Sequence, residues 1–297
     1  MKTLRRLSLA LLLALPGAAA PPPAEPPTVY ISDLRVALDE KSFNIVRNDP
    51  FVLNELSAND TGAPGFGKIT AGSKRICVRG RSTTVEILGP GNDQGLEPGE
   101  SELRFVVEKK GELETVEARL RQSFGDRVSR ATEEAPGPHG KPVPLRTLVS
   151  VSGRKDANFS AQIFEYPGAL FRALWPDKPG PSGGVTRADV TGARYRKGSC
   201  MEDVESVMVA LDAPERDLLL KSLGAYGWTT SLEGGTKLVA KGPDFSIHVS
   251  RPLIGNPTGI VYLEMILNPE CVMPAKQNVG DITRLVPSGA GRARWIF

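Results

Sequence analysis

Histidine is scarce in this chain. His139 and His248 are the only ones in 297 residues. His139 stands in the loop Pro136-Gly137-Pro138-His139-Gly140, where a solvated side chain is expected. His248 alternates with Ile247 and Val249, so it either faces a concave sheet surface or is a structural histidine. No serine nucleophile elbow, phosphate loop, Cys-x-x-Cys or His-Glu-x-x-His occurs, which removes the usual support for hydrolase and nucleotide-binding classes.

Net charge and long apolar runs are also lacking. The formal charge of +3 rests on Lys2, Arg5 and Arg6, in a segment with no acid before Glu25. Without them the charges balance, so there is no electrostatic reason to expect nucleic acid or an anionic membrane as partner. The one apolar run, Leu7 to Leu15, is too short to span a bilayer. Basic residues precede it, and Gly17-Ala18-Ala19-Ala20 follows, so residues 1–20 read as a secretory signal and the mature protein as periplasmic or secreted. Pro-rich residues 21–27 read as a leader. Phe297 ends the chain on an apparent strand, but the helices argue against a membrane barrel.

Three cysteines are present, and export permits disulfides. Cys77 lies within an apparent strand and reads as a buried thiol. Cys200 and Cys271 flank strands of the C-terminal third and are the expected disulfide pair.

What the chain does have is an internal repeat. Strand Val29 to Asp39 carries Leu34, Val36 and Leu38 on one face, and a helix begins near Lys41 and is interrupted at Asp49-Pro50. Strands Lys74 to Val78 and Thr83 to Leu88 complete the unit. A second unit runs from strand Glu102 to Val107 through helix Glu112 to Phe124 to strands Leu145 to Val151 and Phe159 to Phe164. In the third, Val209-Ala210-Leu211-Asp212 repeats Val36-Ala37-Leu38-Asp39. Asp212 is a helix N-cap there, with Gly224 as the stop, and strands Thr236 to Ala240 and Phe245 to Ser250 follow. A shortened fourth unit has strands Ile260 to Leu267 and Arg292 to Phe297. The pattern predicts an α+β protein of repeated βαβββ modules. Two domains are expected, residues 28–168 (two modules) and a smaller one at 200–297, joined by a bridge at 169–199 in which Thr186 and Asp189 cap a short helix.

These modules resemble those of the vicinal oxygen chelate superfamily, which includes glyoxalase I and extradiol dioxygenases. More closely, the chain resembles a family of secreted bacterial proteins built from glyoxalase-like modules. The resemblance rests on Val29 to Asp39, Thr83 to Gly91, Ala161 to Gly168, Gly184 to Tyr195, Val204 to Asp212 and Gly291 to Phe297. It implies a cup with metal ligands on the first and last strands of each module. Asp33, Glu86, Glu102 and Gln162 occupy those positions in the first domain, with Glu165 replacing Gln162 if the alignment slips. Ser206, His248, Glu264 and Arg294 occupy strands of the second domain and make a poor metal site.

An all-oxygen set would suit a divalent hard cation, Mg²⁺, Ca²⁺ or Mn²⁺. The competing reading is ordinary strand acids, wet or paired with Arg35, Arg75, Arg79 or Arg104. Arg75 and Arg79 could instead hold an anionic ligand if their face lines the cup, and His248 could serve a ligand in the second one. The resulting expectation is a small-ligand-binding or non-catalytic member of the fold. Its alternative is a metal-dependent lyase, isomerase or dioxygenase-type enzyme centred on Glu86. Glu86 is expected to point into the cup, between Asp33 across the sheet and Glu102 of the next module.

Overall fold

A computed structural model describes residues 26–63, 65–136, 142–234, 237–253, 258–273, 277–278 and 283–297. The proposed signal at 1–20, most of the leader and His139 lie outside the described residues.

The first module contains β1 (Val29–Ala37), α1 (Glu40–Asn48), β2 (Ala58–Asp60), β3 (Arg75–Arg79) and β4 (Thr84–Leu88). The second contains β5 (Ser101–Val107), α2 (Glu112–Phe124), β6 (Val128–Pro136), β7 (Pro142–Val151) and β8 (Phe159–Glu165). Together they make one eight-stranded sheet in the order β2-β3-β4-β1-β5-β8-β7-β6. Each module closes by pairing its first and last strands in parallel, β1 with β4 and β5 with β8, and the modules abut through antiparallel β1 and β5.

The same plan recurs. β9 (Met201–Ala210), α5 (Ala213–Ala225), β10 (Thr229–Glu233), β11 (Lys237–Lys241) and β12 (Ser246–Ser250) form the third module. β13 (Gly259–Leu267), β14 (Gln277–Asn278), β15 (Arg284–Gly289) and β16 (Arg292–Ile296) form the fourth. Their sheet runs β10-β11-β12-β9-β13-β16-β15-β14. This is the paired βαβββ architecture, with no helix among the described residues between β13 and β14.

Local chemistry explains the boundaries. Asp39 caps α1 by accepting from the Ser42 amide at 3.0 Å, which ends β1 before the predicted Asp39. The helix breaks at Asp49, and Val52–Leu56 continues as a π-helical turn. Asp212 caps α5 through the Glu215 amide at 3.0 Å. That helix passes through Gly224 and ends at Ala225, one residue beyond the expected stop.

The inward alternation of β1 (Leu34, Val36), β4 (Val85, Ile87) and β5 (Leu103, Phe105) builds a core under the helices. Residues of both sheets belong to this one apolar cluster. The segment between the sheets is more than a connector. It carries α3 (Gly168–Leu174) and α4 (Arg187–Val190), the latter with the capping box of Thr186 and Asp189. Leu170, Phe171, Val185 and Val190 pack with Val106, Leu148, Phe164 and Tyr166 on the opposite face of the first sheet, covering part of its cup.

Candidate functional site

The uncovered part of that cup is a cleft of about 350 Å³. Strand alternation decides what enters it. With Leu34 and Val36 in the core, Asp33 and Arg35 must face the other way, and the same holds for Glu86 between Val85 and Ile87. Glu86 therefore points into the cup as expected.

Its neighbours differ from the expectation. Parallel pairing sets Glu86 opposite Arg35 and leaves Asp33 opposite Thr84. Arg35 also faces Glu102 across the antiparallel β1–β5 pair. Its guanidinium fills the space between the two carboxylates. Nε donates to Glu86 Oε2 and Nη1 to Glu102 Oε2, both at 2.9 Å, and Nη2 donates to Gln94 Oε1 at 2.5 Å.

Arg104 takes up what remains of Glu102. It donates to Glu102 Oε2 at 2.7 Å and grips both oxygens of Glu133 at 3.0 and 3.3 Å. Ser160 donates to Glu102 Oε1 at 3.1 Å. Arg79 forks onto Asp60 at 2.6 and 3.1 Å and donates to Thr84 at 3.0 Å. Arg75 donates to the carbonyls of Thr61 and Ala63 at 2.6 and 2.8 Å and lies 3.6 Å from Asp93.

The charge states follow from this lattice. Burial alone would raise Glu86, but Arg35, followed by Arg146, Arg75 and Arg104, holds it down at about 2. Glu102 is likewise lowered, with Arg104 and Arg35 overcoming its burial. Asp33 goes the other way. Burial raises it, and Arg146 only partly offsets that.

The proposed ligand set Asp33, Glu86, Glu102 and Gln162 does not fit a divalent cation. The position between Glu86 and Glu102 already holds a guanidinium, and a cation there would have to displace it. Gln162 lines a neighbouring recess with Glu102 and Ser160. Glu165 alternates to the other face and accepts from the Gly111 amide at 3.4 Å. Among the described residues no group of three or more His, Cys, Asp or Glu could hold a metal ion.

Arg75 and Arg79 do line the cleft. His248 belongs to the other sheet. There Met208 pairs with His248 and Tyr262, in the places that Arg35, Glu86 and Glu102 take in the first sheet. His248 Nε2 lies 3.4 Å from Ser246 Oγ, and burial, then Lys237, lowers its pKa. Glu264 holds Arg294 at 2.9 Å, and the Arg294 guanidinium lies 4.1 Å from the Tyr262 ring centroid. Cys200 and Cys271 form a disulfide, and Cys77 is a buried free thiol beside Glu86.

The residue that sequence reasoning missed is Arg146. Its guanidinium lies 4.6 Å from the Phe164 ring centroid and 5.9 Å from that of Tyr166. It approaches Asp33 Oδ2 at 3.2 Å, yet that oxygen has no hydrogen-bond partner, so the approach is poorly aligned. Arg35, Arg75, Arg79 and Arg104 all spend donors on the protein. Among the described residues the Arg146 guanidinium donates no hydrogen bond, and it faces the cavity. Burial would lower its pKa, but Asp33 together with Tyr166, Glu86 and Glu133 outweighs that and keeps it cationic. At the cleft wall, Phe66 is the one described non-glycine residue with positive φ, at 46°. Arg79 and Arg194 approach its ring at 5.5 and 3.3 Å.

Paired βαβββ modules with an arginine-rich cup thus define the class. The chain belongs to a family of unknown function, DUF5829, whose model matches residues 35–297. No curated protein matches it. Among solved structures it is similar to a hypothetical protein from Staphylococcus aureus, at 12% identity over 86% of this chain and 98% of that one, with a TM-score of 0.49. It is also similar to 2,2',3-trihydroxybiphenyl 1,2-dioxygenase from Sphingomonas wittichii, at 12% identity over 91% of this chain and 89% of that one, with a TM-score of 0.45. These distant likenesses carry nothing about activity.

Proposed function

We propose that this protein is an exported, non-catalytic small-molecule-binding member of the fold, and that its cleft grips an oxygen-rich head group on Arg146. The carrying observation is a guanidinium whose one ion pair, with Asp33, is not an aligned hydrogen bond, backed by an aromatic plate and facing a cavity. A planar fork of this kind matches a carboxylate in two parallel bonds. Strained backbone gathers at ligand clamps, and Phe66 supplies it at the wall. The volume falls at the small end of ligand pockets. The disulfide is consistent with an oxidising compartment.

The metal-enzyme alternative loses its donor set to Arg35. The test has two arms. Calorimetric titration with small carboxylates should show binding that Arg146→Gln removes, with far-UV dichroism unchanged. Elemental analysis of protein purified without chelators should find no stoichiometric Mg, Ca or Mn. One bound divalent ion per chain, lost on Glu86→Gln, would replace this reading with the enzymatic one.

A further inference from the structure

The charge around the cleft narrows the ligand further, given the reading of Arg146 as its anchor. Five arginines and five carboxylates line the cavity. Asp60, Glu102 and Arg194 are coupled to the lining groups from behind it, so acids outnumber arginines by one. The charges of this region nearly cancel, so a simple anion entering it would meet no net positive charge.

The charges are also sorted by depth. Arg35, Arg79 and Arg104 are buried and committed to the internal carboxylates Glu86, Asp60 and Glu102. The acids Asp93, Glu133 and Glu134 are more open. Asp93 and Glu133 side chains are 62% and 33% exposed, and Glu134 is exposed. Asp93 has only a loose contact with Arg75. Glu133 has both oxygens on Arg104, so the cleft offers a donor fork inside and, at Asp93 and Glu134, carboxylates open to solvent. Apolar wall between them comes from Phe66, Leu145, Leu170 and Val190.

We infer that the ligand is zwitterionic, an α-amino acid or a compound of that pattern. Its carboxylate would sit on Arg146, its ammonium would meet the acids of the rim, and its side chain would lie along the apolar wall. Such a ligand brings no net charge into a cleft whose own charges nearly cancel. Each of its ends completes a group that the protein leaves incomplete.

The experiment is a titration of the full chain with free amino acids that have apolar, aromatic, acidic and basic side chains. Each is paired with its deaminated acid and its decarboxylated amine. At least one amino acid should bind roughly tenfold or more tightly than both of its truncated partners. Arg146→Gln should abolish that binding. The double variant Asp93→Asn/Glu134→Gln should weaken the amino acid and leave its deaminated acid unchanged. Those two positions are exposed, so this variant keeps the fold whatever Arg146→Gln does. If deaminated acids bind as tightly as amino acids and need Arg146, the zwitterion is wrong and the anchor stands. If nothing in the panel binds, or binding ignores Arg146→Gln, both fail.

Discussion

Arg35 stands opposite Glu86 on a parallel neighbouring strand, and its Nε donates to the glutamate across 2.9 Å. This one pairing turns a row of acids into a closed ionic lattice. The same guanidinium also holds Glu102, so its removal leaves buried Glu86 without its main cation and Glu102 with Arg104 alone. Arg35→Met should therefore cost about 3–5 kcal/mol, the usual penalty for breaking a buried ion pair from one side. Replacing Arg35, Glu86 and Glu102 together by Met should recover much of that loss. Urea midpoints decide the matter. A single variant as stable as the parent would show that the lattice is incidental.

Acid should unfold the protein through the same groups. Glu86 falls from an ordinary 4.5 to about 2 in the folded state, and Glu102 and Glu133 are also lowered. A depressed carboxylate adds stability above its unfolded value, and that stability drains away as pH drops through the folded one. Asp33, which is raised, works in the opposite direction and softens the slope. Stability should decline between about pH 4.5 and pH 2. Glu86→Gln should flatten that decline. Denaturant midpoints that stay level across the interval would contradict this.

Cys200 and Cys271 are 71 residues apart. Opening a loop of that length with the Cys200→Ser/Cys271→Ser pair should lower stability by about 4 kcal/mol on the chain-entropy account. Thiol titration gives an independent check. Cys77 is fully buried, and its thiol is pushed up by burial and then by Glu86. Folded protein should therefore react with no thiol reagent, and unreduced denatured protein with one equivalent.

Gly184 has φ of 131°, and a Cβ there would run into the carbonyl oxygen of Glu108. Beside it the Lys110 amide donates to Gly183 O at 3.0 Å, and Arg187 pairs with Glu108 at 3.1 Å. These contacts seat the segment that covers part of the cup. Gly184→Ala should cost about 1–3 kcal/mol and loosen that cover, seen as faster amide exchange at Val185 and Val190. Unchanged exchange would mean that the backbone gives way at no cost.

Alternation was enough to place Asp33 and Arg35 on one face of β1 and Glu86 between two core residues, because period two is written in the residue order. The partner of Glu86 was not readable. Register between strands 51 residues apart depends on the intervening loops, and it favoured Arg35 over Asp33. β6 and β10 escaped notice because both are edge strands with mostly exposed side chains, where no apolar periodicity is required. Arg146 was hidden for a related reason. It lies on a strand that was expected, but its role depends on Phe164 and Asp33 arriving from two other strands.

The two sheets are also sewn to each other. Asp203 accepts from the amides and hydroxyls of both Ser82 and Thr83. Trp228 Nε1 donates to Val29 O at 3.0 Å, the Ile260 amide to Ser101 Oγ at 3.0 Å and the Cys200 amide to Glu55 O at 2.9 Å. The seam joins the central strands β1, β5, β9 and β13 and also the β3–β4 turn and the π-helical turn, so the two halves are held to each other at several points. Fastening of this kind works against capture by a closing jaw. On the proposed binding role a ligand would enter past the rim of the first cup, and heating should melt both halves in one calorimetric step.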